Sequence, residues 1–95
     1  MENIVQKSAG TGGSITGKNV VVIGSAGFLG SHLTDYLVDV KKCNVLALDN
    51  LIAGRRDFIN PKAKFLWCDI TQSEHTLYKI FKSNQTEYCF NLAAS

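Results

Sequence analysis

Apolar positions change their period several times along the chain, and each change marks an element. Val20, Val21, Val22 and Ile23 form an unbroken, mostly β-branched run. A run without a polar face predicts a strand covered on both sides inside a parallel sheet. Leu29, Leu33, Tyr36, Leu37 and Val40 then recur at helical spacing, with Asp35, Asp39 and Lys41 off the stripe, which predicts an amphipathic helix. Residues 45–48 make a second apolar strand ending at Asp49. After a polar loop containing Gly54, Arg55, Arg56 and Pro61, residues 64–68 make a third, closed by Asp69. A short helical or irregular segment is expected near residues 55–59.

Thr71-Gln72-Ser73-Glu74 has the form of a capping box, in which the Thr71 hydroxyl accepts from the Glu74 N–H while the Glu74 carboxylate reaches back. The helix it opens carries Leu77, Ile80 and Phe81 on one face, and residues 88–92 form a fourth strand. The order is β-α-β-β-α-β, without an internal repeat. Right-handed crossovers arrange the parallel strands as third, second, first, fourth, with helices on the faces. The outer edge of the fourth strand (Tyr88, Phe90, Leu92) is then expected to be open and apolar, an edge that invites pairing. The 95 residues are therefore expected to be an incomplete reading of a longer protein, or a fragment needing a partner.

Residues 1–18 precede this pattern. Ser8, Gly10, Thr11, Gly12, Gly13, Ser14, Thr16 and Gly17 give them the composition of a flexible leader, and leave 19–95 as the folded portion. The glycines at 10–13 do not make a phosphate loop. No strand precedes them, no helix follows, and Lys18-Asn19 is not the Lys-Ser/Thr pair such a loop requires.

Composition narrows the partners. With 45% hydrophobic and 19% charged residues the chain is neither disordered nor low in complexity. A net charge of +2 is too small and too scattered to mark a nucleic-acid partner. No apolar run approaches the ~20 residues of a membrane span, and residues 1–18 lack the apolar centre of a secretion signal. Cys43, Cys68 and Cys89 are an odd number without a CxxC pair, and His32 and His75 lie far apart. Buried reduced thiols are expected, with no metal site, in a cytoplasmic compartment.

The candidate chemistry lies in Gly24-Ser25-Ala26-Gly27-Phe28-Leu29-Gly30, between the first strand and the first helix. Glycines are common in turns, but these have a buried strand before them, an amphipathic helix after them and an acid ending the next strand. Gly24 lets the chain turn sharply off the strand, Gly27 leaves room for a pyrophosphate against the backbone, and Gly30 lets the helix pack closely. The free N–H groups of Phe28 and Leu29 would meet the anion at the positive end of the helix. Asp49 can accept from both ribose hydroxyls and would repel a 2′-phosphate, which favours NAD over NADP. Arg55 and Arg56, just downstream, keep an NADP-dependent reductase of the same fold as an alternative. Asp69 and Ile70 end the third strand at the same sheet edge, where they could contact adenine, although Asp69 also simply precedes the capping box. Ala93, Ala94 and Ser95 are small residues beside the crevice.

Together these residues resemble the extended short-chain dehydrogenase/reductase family, in its branch of NAD-dependent nucleotide-sugar epimerases and dehydratases. The resemblance rests on 22–33 (VIGSAGFLGSHL), 48–56 (LDNLIAGRR), Cys68-Asp69-Ile70 and 90–94 (FNLAA), and covers residues 19–95. It implies the N-terminal half of a Rossmann-type α/β domain, truncated. It further implies that Gly24, Gly27, Phe28, Leu29 and Gly30 hold the pyrophosphate of NAD, Asp49 and Asn50 the ribose, Asp69 and Ile70 the adenine, while Leu92, Ala93 and Ala94 line the cofactor's path. The implied substrate is a nucleotide sugar, and a homodimer is compatible with it. Ile23 stands where the family usually has Thr, and Asn91 where it usually has His. The family's catalytic Tyr-x-x-x-Lys pair falls beyond residue 95, so no catalytic residue is assigned and the chain alone is expected to be inactive. Tyr78 and Lys82 share that spacing, but one crossover too early. A non-catalytic dinucleotide-binding module or sensor subunit is the rival reading.

Overall fold

The computed structural model describes residues 4–7, 14–51, 55–69 and 74–93. Its elements are β1 (Ile4–Lys7), β2 (Asn19–Ile23), α1 (Phe28–Asp39), β3 (Asn44–Asp49), a 3₁₀ turn (Arg56–Phe58), β4 (Lys64–Trp67), α2 (Glu74–Ser83) and β5 (Tyr88–Asn91). The sheet runs β1-β5-β2-β3-β4, and all pairs except β1–β5 are parallel. The four parallel strands thus stand in the expected order, with β2 and β3 central.

Alternation along the strands explains why both faces need a helix. Val20, Val22 and Val45 pack with Leu37 and Val38 of α1, whereas Val21, Ile23 and Leu48 pack with Leu77, Ile80 and Phe81 of α2. Val20, Val21 and Val22 are all fully buried, as the unbroken apolar run requires. The side chains expected on the inner face of α2 are the ones that meet the sheet, although none is fully buried. Of the expected capping box, residues 71–73 lie outside the described residues.

The buried face of α1 differs from the expected stripe. Gly30, Ser31, Thr34, Leu37 and Val38 are buried, while Leu29, Tyr36 and Val40 are exposed. The cause is close packing at the start of the helix. A Cβ on Gly30 would collide with Gly24 O and come within 2.8 Å of Ser25 Cα, so the helix is turned to set its small residues against the glycine turn. Thr34 is tolerated there because its hydroxyl donates to Gly30 O at 2.7 Å.

The N-terminal segment also departs from expectation. Of residues 1–18, the structure describes 4–7 and 14–18. Ile4–Lys7 pairs antiparallel with β5, from Ile4 opposite Asn91 to Lys7 opposite Tyr88. The β5 edge expected to be open is therefore covered. Lys7 ends level with Tyr88, which is level with Val20 at the start of β2. Ile15 packs on the α1-side core, and Gly17 donates from its N–H to Lys41 O at 3.0 Å.

Candidate functional site

The site begins where β2 stops. Gly24 adopts φ +79°, and a Cβ there would lie 2.8 Å from Ala93 N and 2.9 Å from Leu92 C. Backbone handedness and crowding by the end of β5 both demand glycine. The turn is pinned from one point, because Leu48 O accepts from Gly24 N at 2.9 Å, Ser25 N at 3.2 Å and Ser25 Oγ at 3.1 Å. Beside it, Leu92 N donates to Ile23 O at 2.8 Å, and Ala93 N donates to Asn91 Oδ1 at 3.1 Å. Asn91, where the resemblance has His, thus closes the end of β5.

Gly27 is different from Gly24 and Gly30. Its φ of −80° and ψ of 175° suit any residue, and an added Cβ would meet only Gly24 O, at an ordinary 3.6 Å. Neither the fold's sterics nor its backbone conformation explains a glycine here. From Gly27 the chain enters α1, whose first turn carries no acidic residue and whose N-cap makes no side-chain hydrogen bond. Among the described residues, none accepts from the N–H groups of Phe28, Leu29 or Gly30, and Phe28 and Leu29 are exposed. The first turn of α1 thus carries neither an acid nor a capping side chain of its own.

Asp49 faces this turn from the end of β3. Its Oδ2 accepts from Ala26 N at 2.8 Å and its Oδ1 from Leu51 N at 2.7 Å, where Leu51 has φ +64°. One carboxylate thus ties the glycine turn to the turn after β3. Each oxygen retains a further lone pair for a hydroxyl. Arg55 closes the same loop by donating from its N–H to Ala26 O at 3.1 Å.

The two arginines are both engaged. Arg55 makes a forked pair with Asp57, at 3.1 and 2.9 Å, and Arg56 lies 4.6 Å over the Phe65 ring. Asn50 adjoins Asp49, and its carbonyl accepts from Trp67 Nε1 at 2.9 Å. Asp69 follows β4 at the same end of the sheet, while Ile70 and Ala94 lie outside the described residues. Leu92 and Ala93 are half-buried against Gly24. The structure thus gathers Gly24, Gly27, Phe28, Leu29, Gly30, Asp49, Asn50, Leu92 and Ala93 at one end of the sheet. Sequence reasoning missed Ser25, the tie from Ala26 to Asp49, and Trp67. A hydroxyl between two turn residues was the available signal for Ser25.

Elsewhere the chemistry is quiet. Tyr78 is exposed on α2, with Lys82 Nζ 5.9 Å from its ring centroid, a surface pair on the helix that packs against the opposite face from α1. All three cysteines are buried and free, and burial pushes the Cys89 thiol up to about 11. Among the described residues no group of three or more His, Cys, Asp and Glu could hold a metal, and no helix is long and apolar enough to cross a membrane.

A diphosphate fits this arrangement. Uncapped N–H groups supply donors, and the position of Gly27 leaves space that a side chain would occupy. A carboxylate with free lone pairs stands one loop away, suited to a ribose diol.

This chain is similar to known proteins. The UDP-glucose 4-epimerase of Lactobacillus helveticus is 41% identical over 76 residues, covering 79% of this chain and 22% of that protein. The crystal structure of a UDP-glucose 4-epimerase from Thermotoga maritima, with UDP-glucose, aligns with a TM-score of 0.74 at 38% identity, over 81% of this chain and 24% of that one. The UDP-glucose 4-epimerase of Thermus thermophilus, in complex with NAD, aligns with a TM-score of 0.72 at 28% identity, over 81% and 24%. The chain thus spans about a fifth of the length of the curated relatives it matches. The profile of the NAD dependent epimerase/dehydratase family matches residues 20–95, and the chain belongs to that family.

Proposed function

We propose that this chain is the NAD-binding portion of a nucleotide-sugar epimerase or dehydratase. One observation carries the reading. Among the described residues, the start of α1 offers N–H donors without acceptors beside a glycine, Gly27, at which an added Cβ would make only ordinary contact. The NAD complex of the Thermus relative supports the choice of ligand, and the UDP-glucose complex of the Thermotoga relative supports a nucleotide sugar as substrate of the complete protein.

In this reading the Phe28 and Leu29 N–H groups donate to the pyrophosphate oxygens. Hydrogen bonds to charged groups contribute about 1.5–3 kcal/mol each, and the helix dipole adds up to ~2 kcal/mol when partly buried. Asp49 accepts from the adenosine ribose hydroxyls with the lone pairs left by Ala26 and Leu51, and Asn50 lies beside it. Its negative charge disfavours a 2′-phosphate, and the engagement of Arg55 by Asp57 weakens the NADP alternative. The family resemblance assigns Asp69 and Ile70 to adenine and Leu92, Ala93 and Ala94 to the cofactor's path; of these, Asp69, Leu92 and Ala93 are among the described residues. Bound NAD⁺ supplies reversible hydride acceptance from a sugar carbon. In this reading residues 1–95 supply cofactor binding, and none of them is assigned a catalytic role. Three buried free thiols accord with a reducing, cytoplasmic compartment.

Gly27→Ala tests the reading. Its Cβ fits the fold, so stability should change by no more than about 1 kcal/mol, the scale of an N-cap exchange. Calorimetric affinity for NAD⁺ should fall about tenfold or more, the loss of roughly one hydrogen bond to a charged oxygen. Unchanged affinity, or no binding by the unaltered chain, would reject the proposal.

A further inference from the structure

Trp67 is the only tryptophan in the chain, and it stands 59% exposed on β4, the outermost parallel strand. Parallel register sets it directly beside Asp49. Phe65, two positions earlier and so on the same face of the strand, packs with Ala26, Ala47 and Ile59. Asp49 reaches the Ala26 N–H on that face. Trp67 therefore shares a face with the glycine turn and neighbours the carboxylate that ties it.

Its one polar atom is already satisfied. Nε1 donates to Asn50 O at 2.9 Å, which fixes the ring while leaving much of its surface in water. An exposed indole held in place by its N–H is a ready stacking platform, since little side-chain freedom remains to be lost on binding. Asp69 follows two residues later along the chain.

We propose that Trp67 is a specificity-determining residue for the nucleoside end of the ligand, stacking its indole face on the base whose ribose Asp49 holds. The proposal rests on the dinucleotide reading above and adds the base contact. The ligand class it selects is a purine nucleotide with a free ribose diol. A bicyclic purine covers more of an indole than a monocyclic pyridine does, so the adenosine half of a dinucleotide is favoured over the nicotinamide half at this position.

Because Trp67 is the only indole, its emission reports the contact directly. The full chain is titrated with NAD⁺, ADP and nicotinamide mononucleotide, following Trp67 fluorescence and, independently, heat of binding. NAD⁺ and ADP should quench the emission, and nicotinamide mononucleotide should leave it unchanged. Trp67→Ala should weaken NAD⁺ and ADP by about tenfold or more, whereas Trp67→Phe, which keeps an aromatic face but drops the N–H, should stay within about threefold. Far-UV circular dichroism verifies that both variants are folded. NAD⁺ binding by heat with undisturbed emission, or undiminished by Trp67→Ala, overturns the stack and leaves the dinucleotide reading standing. Equal losses in the two variants assign the effect to the Asn50 bond and likewise overturn it. If neither NAD⁺ nor ADP gives heat, the dinucleotide reading fails and the stack with it.

Discussion

Where β2 begins, polar groups close on one another. Asn19 N donates to Glu87 Oε1 at 3.0 Å, Glu87 N donates to Asn19 O at 2.9 Å, Asn44 Nδ2 donates to Asn19 Oδ1 at 3.1 Å, and Lys18 Nζ stands 3.7 Å from Glu87 Oε2. Where the same strand ends, among the described residues the first N–H groups of α1 meet no acceptor and each Asp49 oxygen accepts one hydrogen bond. One sheet thus has an end that satisfies itself and an end that does not. The donors at the second end are exposed and open to water or to a ligand, which makes that end the one on which the proposed diphosphate site rests.

The contrast predicts how each end should respond to change. Gly24→Ala should have the largest effect, about 3 kcal/mol or more in denaturant unfolding, because left-handed strain adds to overpacking against Ala93 and Leu92. NAD⁺ binding should be lost with it. Asp49→Asn comes next. The amide cannot match two carboxylate acceptors, so stability should drop by about 1.5–3 kcal/mol, and calorimetry should show weaker NAD⁺ binding. A variant that lost binding at full stability would show that Asp49 does not tie the two turns together.

Between the ends, burial pushes the Cys89 thiol from its ordinary 9.0 up to about 11. The unfolded chain releases that proton near pH 9 and the folded chain only near 11. The thiol's contribution is therefore complete below pH 9 and is lost as the pH rises through that window. The stability advantage of the natural chain over Cys89→Ala should shrink over this range, as followed by urea unfolding at stepped pH. At the self-satisfied end, Glu87→Gln keeps an acceptor for Asn19 and loses only the partly exposed pair with Lys18. A change within about 1 kcal/mol is expected, with NAD⁺ affinity unaltered. A large loss of affinity there would erase the distinction between the ends.

Much of this was written in local patterns. The unbroken Val20, Val21, Val22 run could only be a strand covered on both faces, and a glycine turn between that strand and a helix set the parallel order and the site's place. What escaped depended on contacts between distant segments. The seam of Gly30, Ser31 and Thr34 under α1 does not look hydrophobic, and it wins because small residues allow the close approach that the larger Leu29 and Tyr36 would prevent. Strand β1 could not be inferred from its own four residues, since what selects it is the free edge of β5, some eighty residues later. Asp49 was legible as an acid ending an apolar strand but not as the group holding Ala26 and Leu51, because both partners are backbone N–H groups. Composition alone made residues 14–18 look like leader, whereas Ile15 anchors them to the core.

Two backbone N–H groups would receive the diphosphate, and amide NMR observes them directly. On titrating the ¹⁵N-labelled chain with NAD⁺, the Phe28 and Leu29 amides should show the largest, saturable shifts, with Asn19 and Glu87 unmoved. If NAD⁺ saturates the chain while Phe28 and Leu29 stay in place, the start of α1 is not where the diphosphate sits, and the account is wrong.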